Sequence, residues 1–123
     1  MQTMRAILVT LFLAVGLVGP AAAGPLEDSQ AAYNKGDYAT ALRLVRPLAD
    51  QGNAAAQYNL GLMYSIGQGV PQDYVQAHKW LNLGALDGDK DAIKSRDIVA
   101  GKMTPAQIAE AQKLAREWME KHQ

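Results

Sequence analysis

The chain has 123 residues, 12 Lys/Arg against 12 Asp/Glu, two histidines and no cysteine. A balanced, interspersed charge argues against a nucleic-acid binder, which needs a basic patch to neutralise phosphates, and against a binder of anionic membrane surfaces. Without cysteine there is no disulfide, no thiolate metal site and no lipid attached at a cysteine, so stability has to come from packing.

The first stretch reads as a targeting segment. Arg5 is the only charge before Glu27, and Ala6 to Val18 is an unbroken run of apolar and small residues. That run is short for a bilayer span. Gly19-Pro20 breaks it, and Ala21-Ala22-Ala23 fits an A-x-A cleavage site. The expectation is a cleaved signal peptide over residues 1–23, a mature chain from Gly24 without a stable membrane anchor, and a periplasmic or secreted location. About a hundred residues then remain, enough for one small domain.

The predicted elements follow in order. A short helix near Leu26 to Lys35 ends at Gly36-Asp37, and a second runs from Tyr38 to Gln51. Pro47 falls inside that second helix and should bend or divide it, because proline removes a backbone donor. Asn53 is placed to cap a helix from Ala54 to Ile66, whose apolar stripe is Tyr58, Leu62, Met63 and Ile66. Gly61 inside it costs about 1 kcal/mol against alanine, so a packing reason is expected. Gly67 can end the helix in the left-handed conformation. A loop through Gly69 and Pro71 leads to Asp73, a cap for a helix from Tyr74 to about Asp87 with Ala77, Trp80, Leu81, Leu83 and Gly84 on its apolar face. Trp80 should be buried between these two helices, near Leu81 and Tyr64.

Beyond Gly88 a helix from Asp91 to about Gly101 carries Ile93, Ile98 and Val99 as its apolar set. Thr104-Pro105-Ala106-Gln107 then gives an N-cap, a proline at the first helical position and a capping-box glutamine. The last helix runs from Pro105 to about Lys121. Ile108, Ala111, Leu114, Ala115, Trp118 and Met119 face inward, with Glu110, Lys113, Glu117 and Lys121 outward.

The helices repeat in pairs. Asp37-Tyr38, Ala41, Leu44-Val45, Ala49 and Gly52 match Asp73-Tyr74, Ala77, Trp80-Leu81, Ala85 and Gly88 at a constant offset of 36. The organisation is therefore a partial repeat over residues 24–53, a full repeat over 54–88 and a capping pair over 89–123, polar on its outer face as the ends of solenoids need to be.

No residue set carries recognisable chemistry. Asp87, Asp89 and Asp91 resemble the start of a calcium loop, but such a loop would need glycine at Ala92 and glutamate at Ile98. They read as a solvated turn whose carboxylates cap the next helix. His78 and His122 are too few for zinc, which takes three or four ligands. Ser29, Ser65 and Ser95 sit in no nucleophile motif. No cofactor or metal is expected.

The run A-A-x-Y-N-L-G-x-M-Y-x-x-G-x-G-V-x-x-D-x-x-x-A-x-x-W-x-x-x-A-x-x-G, carried by Ala55 through Gly88, resembles the Sel-one-like repeat, a relative of the tetratricopeptide repeat. The resemblance implies an all-α, right-handed α-solenoid of about three helical hairpins. It implies a non-enzymatic protein–protein adaptor of the kind that bacterial members supply in envelope assembly, signalling or host contact. The implied partner is another protein or peptide. A second reading is a hydrolase or binder of peptidoglycan fragments, an activity discussed for cysteine-rich relatives whose cysteines this chain lacks. In an adaptor, the first helices of successive pairs should line the binding face. Tyr58, Leu62 and Met63 are then expected to serve packing, and Gln57, Asn59 and Ser65, with Asn34 from the preceding pair, to present polar groups on the open face, because amides both donate to and accept from a peptide backbone.

Overall fold

The computed structural model describes residues 24–123; the stretch expected to be a signal peptide lies outside them. The described chain forms six helices: α1 Pro25–Asn34, α2 Tyr38–Asp50, α3 Ala54–Ile66, α4 Tyr74–Gly84, α5 Lys90–Ala100 and α6 Pro105–Lys121. Among the described residues there is no strand, and no helix is long and apolar enough to cross a membrane.

Local chemistry sets the helix ends. Asp37, Asn53, Asp73 and Asp89 each accept a backbone N–H three residues on, at 2.9–3.2 Å, and so satisfy donors that a helix start leaves free. Thr104 and Gln107 form the full capping box: Thr104 Oγ1 accepts from Gln107 N at 3.2 Å, and Gln107 Oε1 accepts from Thr104 N at 2.9 Å. Gly67 closes α3 at φ 83°. The fourth helix stops at Gly84, three residues before the expected end, because Ala85 and Leu86 donate to carbonyls three residues back and tighten the chain into a turn. Pro47 does not divide α2, which runs unbroken to Asp50. The proline is exposed and lies in the last turn, where Gln51 N still donates to its carbonyl at 3.0 Å.

Adjacent helices stack into hairpins, α1 on α2 and α3 on α4, with α2 also against α3. The α3–α4 contact is the closest-fitting one and explains the small residues. A side-chain carbon on Gly61 would stand 2.7 Å from Leu81 Cγ, and one on Gly84 would stand 3.1 Å from both Ala54 O and Tyr58 N. Each glycine lets the opposite helix come in. The loop between these helices folds back on the first pair: a side-chain carbon on Gly69, at φ 77°, would stand 2.9 Å from Tyr38 O. Both α5 and α6 pack on α4, so the last pair closes the stack by embracing the preceding helix.

Two apolar clusters result. The larger contains Ala41, Val45, Ala49, Ala56, Leu60, Met63, Trp80, Leu83 and Ala115; the smaller holds Ala77, Leu81 and Val99. Trp80 is 3% exposed, and its indole meets Trp118 of α6 edge-on with ring centroids 6.3 Å apart. Tyr64 is packed against both clusters, whereas Leu81 points toward α3 and α5. Two expected core positions are corrected. Ile66 and Ile98 are 56% and 54% exposed, because α3 turns Leu60 and Met63 inward and α5 turns Ala92 and Val99 inward.

Candidate functional site

The first helices of the pairs frame two neighbouring clefts. One lies between α1 and α3, has a volume of about 190 Å³, and is lined by Ser29, Gln30, Tyr33, Ala41, Tyr58, Asn59, Leu62 and Met63. The other, of about 260 Å³, is lined by Ala54, Ala55, Tyr58, Gly84, Asp87, Asp89 and Asp91. Tyr58 belongs to both. A groove therefore passes from α1 across α3 to the start of α5.

The walls of the first cleft follow from the sequence. Ser29, where the next pair has Leu60 at the equivalent place, donates its hydroxyl to Ala41 O at 2.9 Å and is 4% exposed. That buried bond knits α1 to α2 and removes the serine from chemistry. Tyr33 packs against Tyr38, ring centroids 5.1 Å apart, and its hydroxyl donates to Gln68 Oε1 of the α3–α4 loop. The end of the cleft is thereby tied to the loop that the repeat supplies. Asn59 is half-buried, and its side-chain amide makes no hydrogen bond within the described residues. It stands on the cleft with donor and acceptor both free.

The anticipated polar residues separate into different roles. Asn59 lines the cleft. Gln57 does not reach the open face: it is 3% exposed, and its Nε2 donates to Ala49 O at 3.2 Å. Ala49 O, at the end of α2, also accepts from Gly52 N at 3.1 Å, so Gln57 adds a side-chain donor that ties α3 to the end of α2. Ser65 donates to Leu62 O at 2.7 Å and accepts at its carbonyl from Gln72 Nε2 at 3.0 Å, which places it at the α3–α4 loop outside both cleft walls. Asn34 is exposed at the end of α1, with its Oδ1 accepting from Gln30 Nε2 at 3.1 Å, and does not line the cleft. Tyr58 and Leu62, expected to serve packing, do pack against the smaller apolar cluster and also form the groove wall along with Ser29, Gln30 and Tyr33. A sequence signal for this exists in hindsight: Leu60 sits between Ala56 and Gly61, the small residues that fix which side of α3 faces the core.

The second cleft is acidic. Asp87, Asp89 and Asp91 are exposed; Asp89 spends Oδ1 on capping α5, and no ion pair engages any of the three within the described residues. No histidine lines either cleft. No group of three or more His, Asp or Glu is arranged to hold a metal ion among the described residues. The geometry suits binding.

Comparison with known proteins decides the family. The model of the Sel1 repeat matches residues 54–89, the span of α3, the Gly/Pro loop and α4. The chain is a Sel1-like repeat protein. A search of curated proteins finds no match. Among solved structures, a protective antigen present in uropathogenic Escherichia coli strains, displaying an SLR fold, is similar over 80% of this chain at 32% identity and a TM-score of 0.72. The match covers 22% of that antigen's chain, so this protein corresponds to about a fifth of its length. The Sel1 repeat thus supplies the whole middle hairpin, including Tyr58, Asn59, Leu62 and Met63 on the groove, and Sel1 repeats are generally protein-interaction modules.

Proposed function

We propose that this Sel1-like protein is a non-enzymatic adaptor of the bacterial cell envelope that grips another protein or peptide along the groove formed by α1, α3 and α5. The observation that carries the reading is the α1–α3 cleft: apolar walls, two tyrosines and one uncommitted amide, contributed by first helices apart from Ala41 of α2. A stack of helical pairs presents its first helices together on one extended surface, and repeat proteins use such surfaces for binding. An aromatic and amide strip of this kind suits a peptide, whose backbone needs both a donor and an acceptor.

The envelope assignment rests on the targeting pattern ending at Ala21-Ala22-Ala23. Cell fractionation with N-terminal sequencing tests it: a soluble periplasmic or secreted species starting at Gly24 is expected, and a cytoplasmic species retaining Met1 would contradict it.

The binding reading is tested by site-specific photo-crosslinking in the host cell. A photoreactive amino acid at Asn59 should yield a discrete adduct with a second protein, and one at Arg43, exposed on α2, should yield none. Adducts from Arg43 alone would place binding on the second helices and overturn the proposal.

A further inference from the structure

The groove, on the reading just given, also carries information about its occupant. We infer that it takes a peptide segment in which a lysine or arginine lies close to an apolar or aromatic side chain.

The two clefts are adjacent, sharing Tyr58, and differ in chemistry. The α1–α3 cleft offers Ala41, Leu62 and Met63 with the rings of Tyr33 and Tyr58. It is suited to a single apolar side chain, removed from water on several sides. Asn59 stands at that cleft with its amide uncommitted, so a peptide group crossing α3 can donate to its oxygen and accept from its nitrogen. Beyond Tyr58 the lining changes to Asp87, Asp89 and Asp91, with no lysine or arginine among the residues of either cleft. Capping accounts for only one oxygen of Asp89. Asp87 and Asp91 have no hydrogen bond or ion pair from any side chain within the described residues. By themselves these carboxylates would be an ordinary helix start. At the end of an apolar cleft with a free amide, they fix the sign of the charge that an occupant can bring: a cation is drawn in, and an acidic peptide or a nucleic-acid backbone is repelled. A segment lying across Tyr58 puts its apolar side chain on one flank of that ring and its cation on the other.

The test is selection from a phage-displayed library of short random peptides against the protein, followed by titration of a synthetic peptide of the enriched sequence. The enriched peptides should pair a lysine or arginine with a nearby Leu, Met, Phe or Tyr. Binding of the synthetic peptide should weaken about tenfold in the double variant Asp87→Asn/Asp91→Asn and should fall as salt rises from about 50 to about 500 mM. Both aspartates are exposed, and Asp91 in the first turn of α5 favours the helix start only weakly, so the double variant should stay folded and melt within a few degrees of the parent, and circular dichroism checks this. Enriched peptides without a cation, or binding indifferent to the aspartates, would overturn the inference. If Tyr58→Ala and Asn59→Ala still abolish binding in that case, the groove stands and only the cationic occupant falls. If those variants also leave binding unchanged, or the library yields no binder, both readings fall. Self-association of the protein that is lost in Tyr58→Arg would make a second copy the occupant and would likewise overturn the inference.

Discussion

Gly61 of α3 sits directly under Leu81 of α4: a side-chain carbon added to the glycine would stand 2.7 Å from Leu81 Cγ, 3.0 Å from its Cδ2 and 3.1 Å from Ala77 O. This contact sets how closely the two helices of the Sel1 repeat approach. Gly61→Ala gains about 1 kcal/mol of helix propensity, but overpacking a tight interface costs about 1–3 kcal/mol. The backbone carbonyl of Ala77 cannot swing aside as a side chain can, so the clash wins. The variant should lose a net of about 1 kcal/mol and at most about 2 kcal/mol, read as a lower midpoint in chemical denaturation. An unchanged or raised midpoint would mean that the helices separate freely.

The Trp80–Trp118 contact makes a second prediction. Trp80 is 3% exposed and joins α4 to the closing helix α6. Trp80→Ala should cost about 3–5 kcal/mol, a large share of the stability of a small domain. A thermal melt displaced by only a degree or two would contradict its place in the core.

Gln57 and Asn59 lie two residues apart on α3 and should behave in opposite ways. Gln57→Ala deprives Ala49 O of a buried hydrogen bond, so about 1–2 kcal/mol of stability should be lost. Asn59→Ala removes an amide with no side-chain partner within the described residues and should leave the melt unchanged while weakening binding. Denaturation curves of the two single variants, recorded together, check the contrast.

His78 supplies a pH dependence. It is 4% exposed, and its Nδ1 has no hydrogen-bond partner among the described residues. Burial, and then the nearby Arg96 cation, hold its pKa below the usual value of 6.5, with Asp97 opposing weakly. The unfolded chain therefore takes up a proton before the folded chain does. Stability is complete above pH 6.5 and declines as the pH falls toward the lowered folded value. Melting temperatures should drop between about pH 7.5 and about pH 5.5, and His78→Leu should flatten the profile over that window. An equal slope in His78→Leu would assign the effect to other groups.

Much of this fold could be read from the residues because its punctuation is local. Asn53, Asp73 and Thr104 cap helices within three residues of themselves, and Gly67 needs only its own φ to end one. The rotation of α3 was harder to read. Its contact face is made by Ala56 and Gly61, which contribute little hydrophobicity, so the larger side chains Tyr58, Leu62 and Ile66 pulled the apparent stripe off the true one centred on Leu60. The same error hid the site. Tyr58 and Leu62 become groove residues only when Tyr33 and Gln30 arrive from a different hairpin. Gln57 becomes structural only when the end of α2 brings Ala49 O within reach. Of the anticipated polar set, Asn59 alone lines the cleft, while Asn34 and Ser65 are held by their own neighbours.

The central claim is that binding occurs on the face made by the first helices. Backbone amide chemical shifts recorded while a selected peptide is titrated into the isotope-labelled protein test it most directly. The account predicts that the perturbed amides cluster at Ser29, Gln30, Tyr33, Tyr58, Asn59 and Leu62, on α1 and α3, and extend to Asp91 at the start of α5. Perturbations gathered instead on α2 and α6, around Arg43 and Lys113, would contradict it.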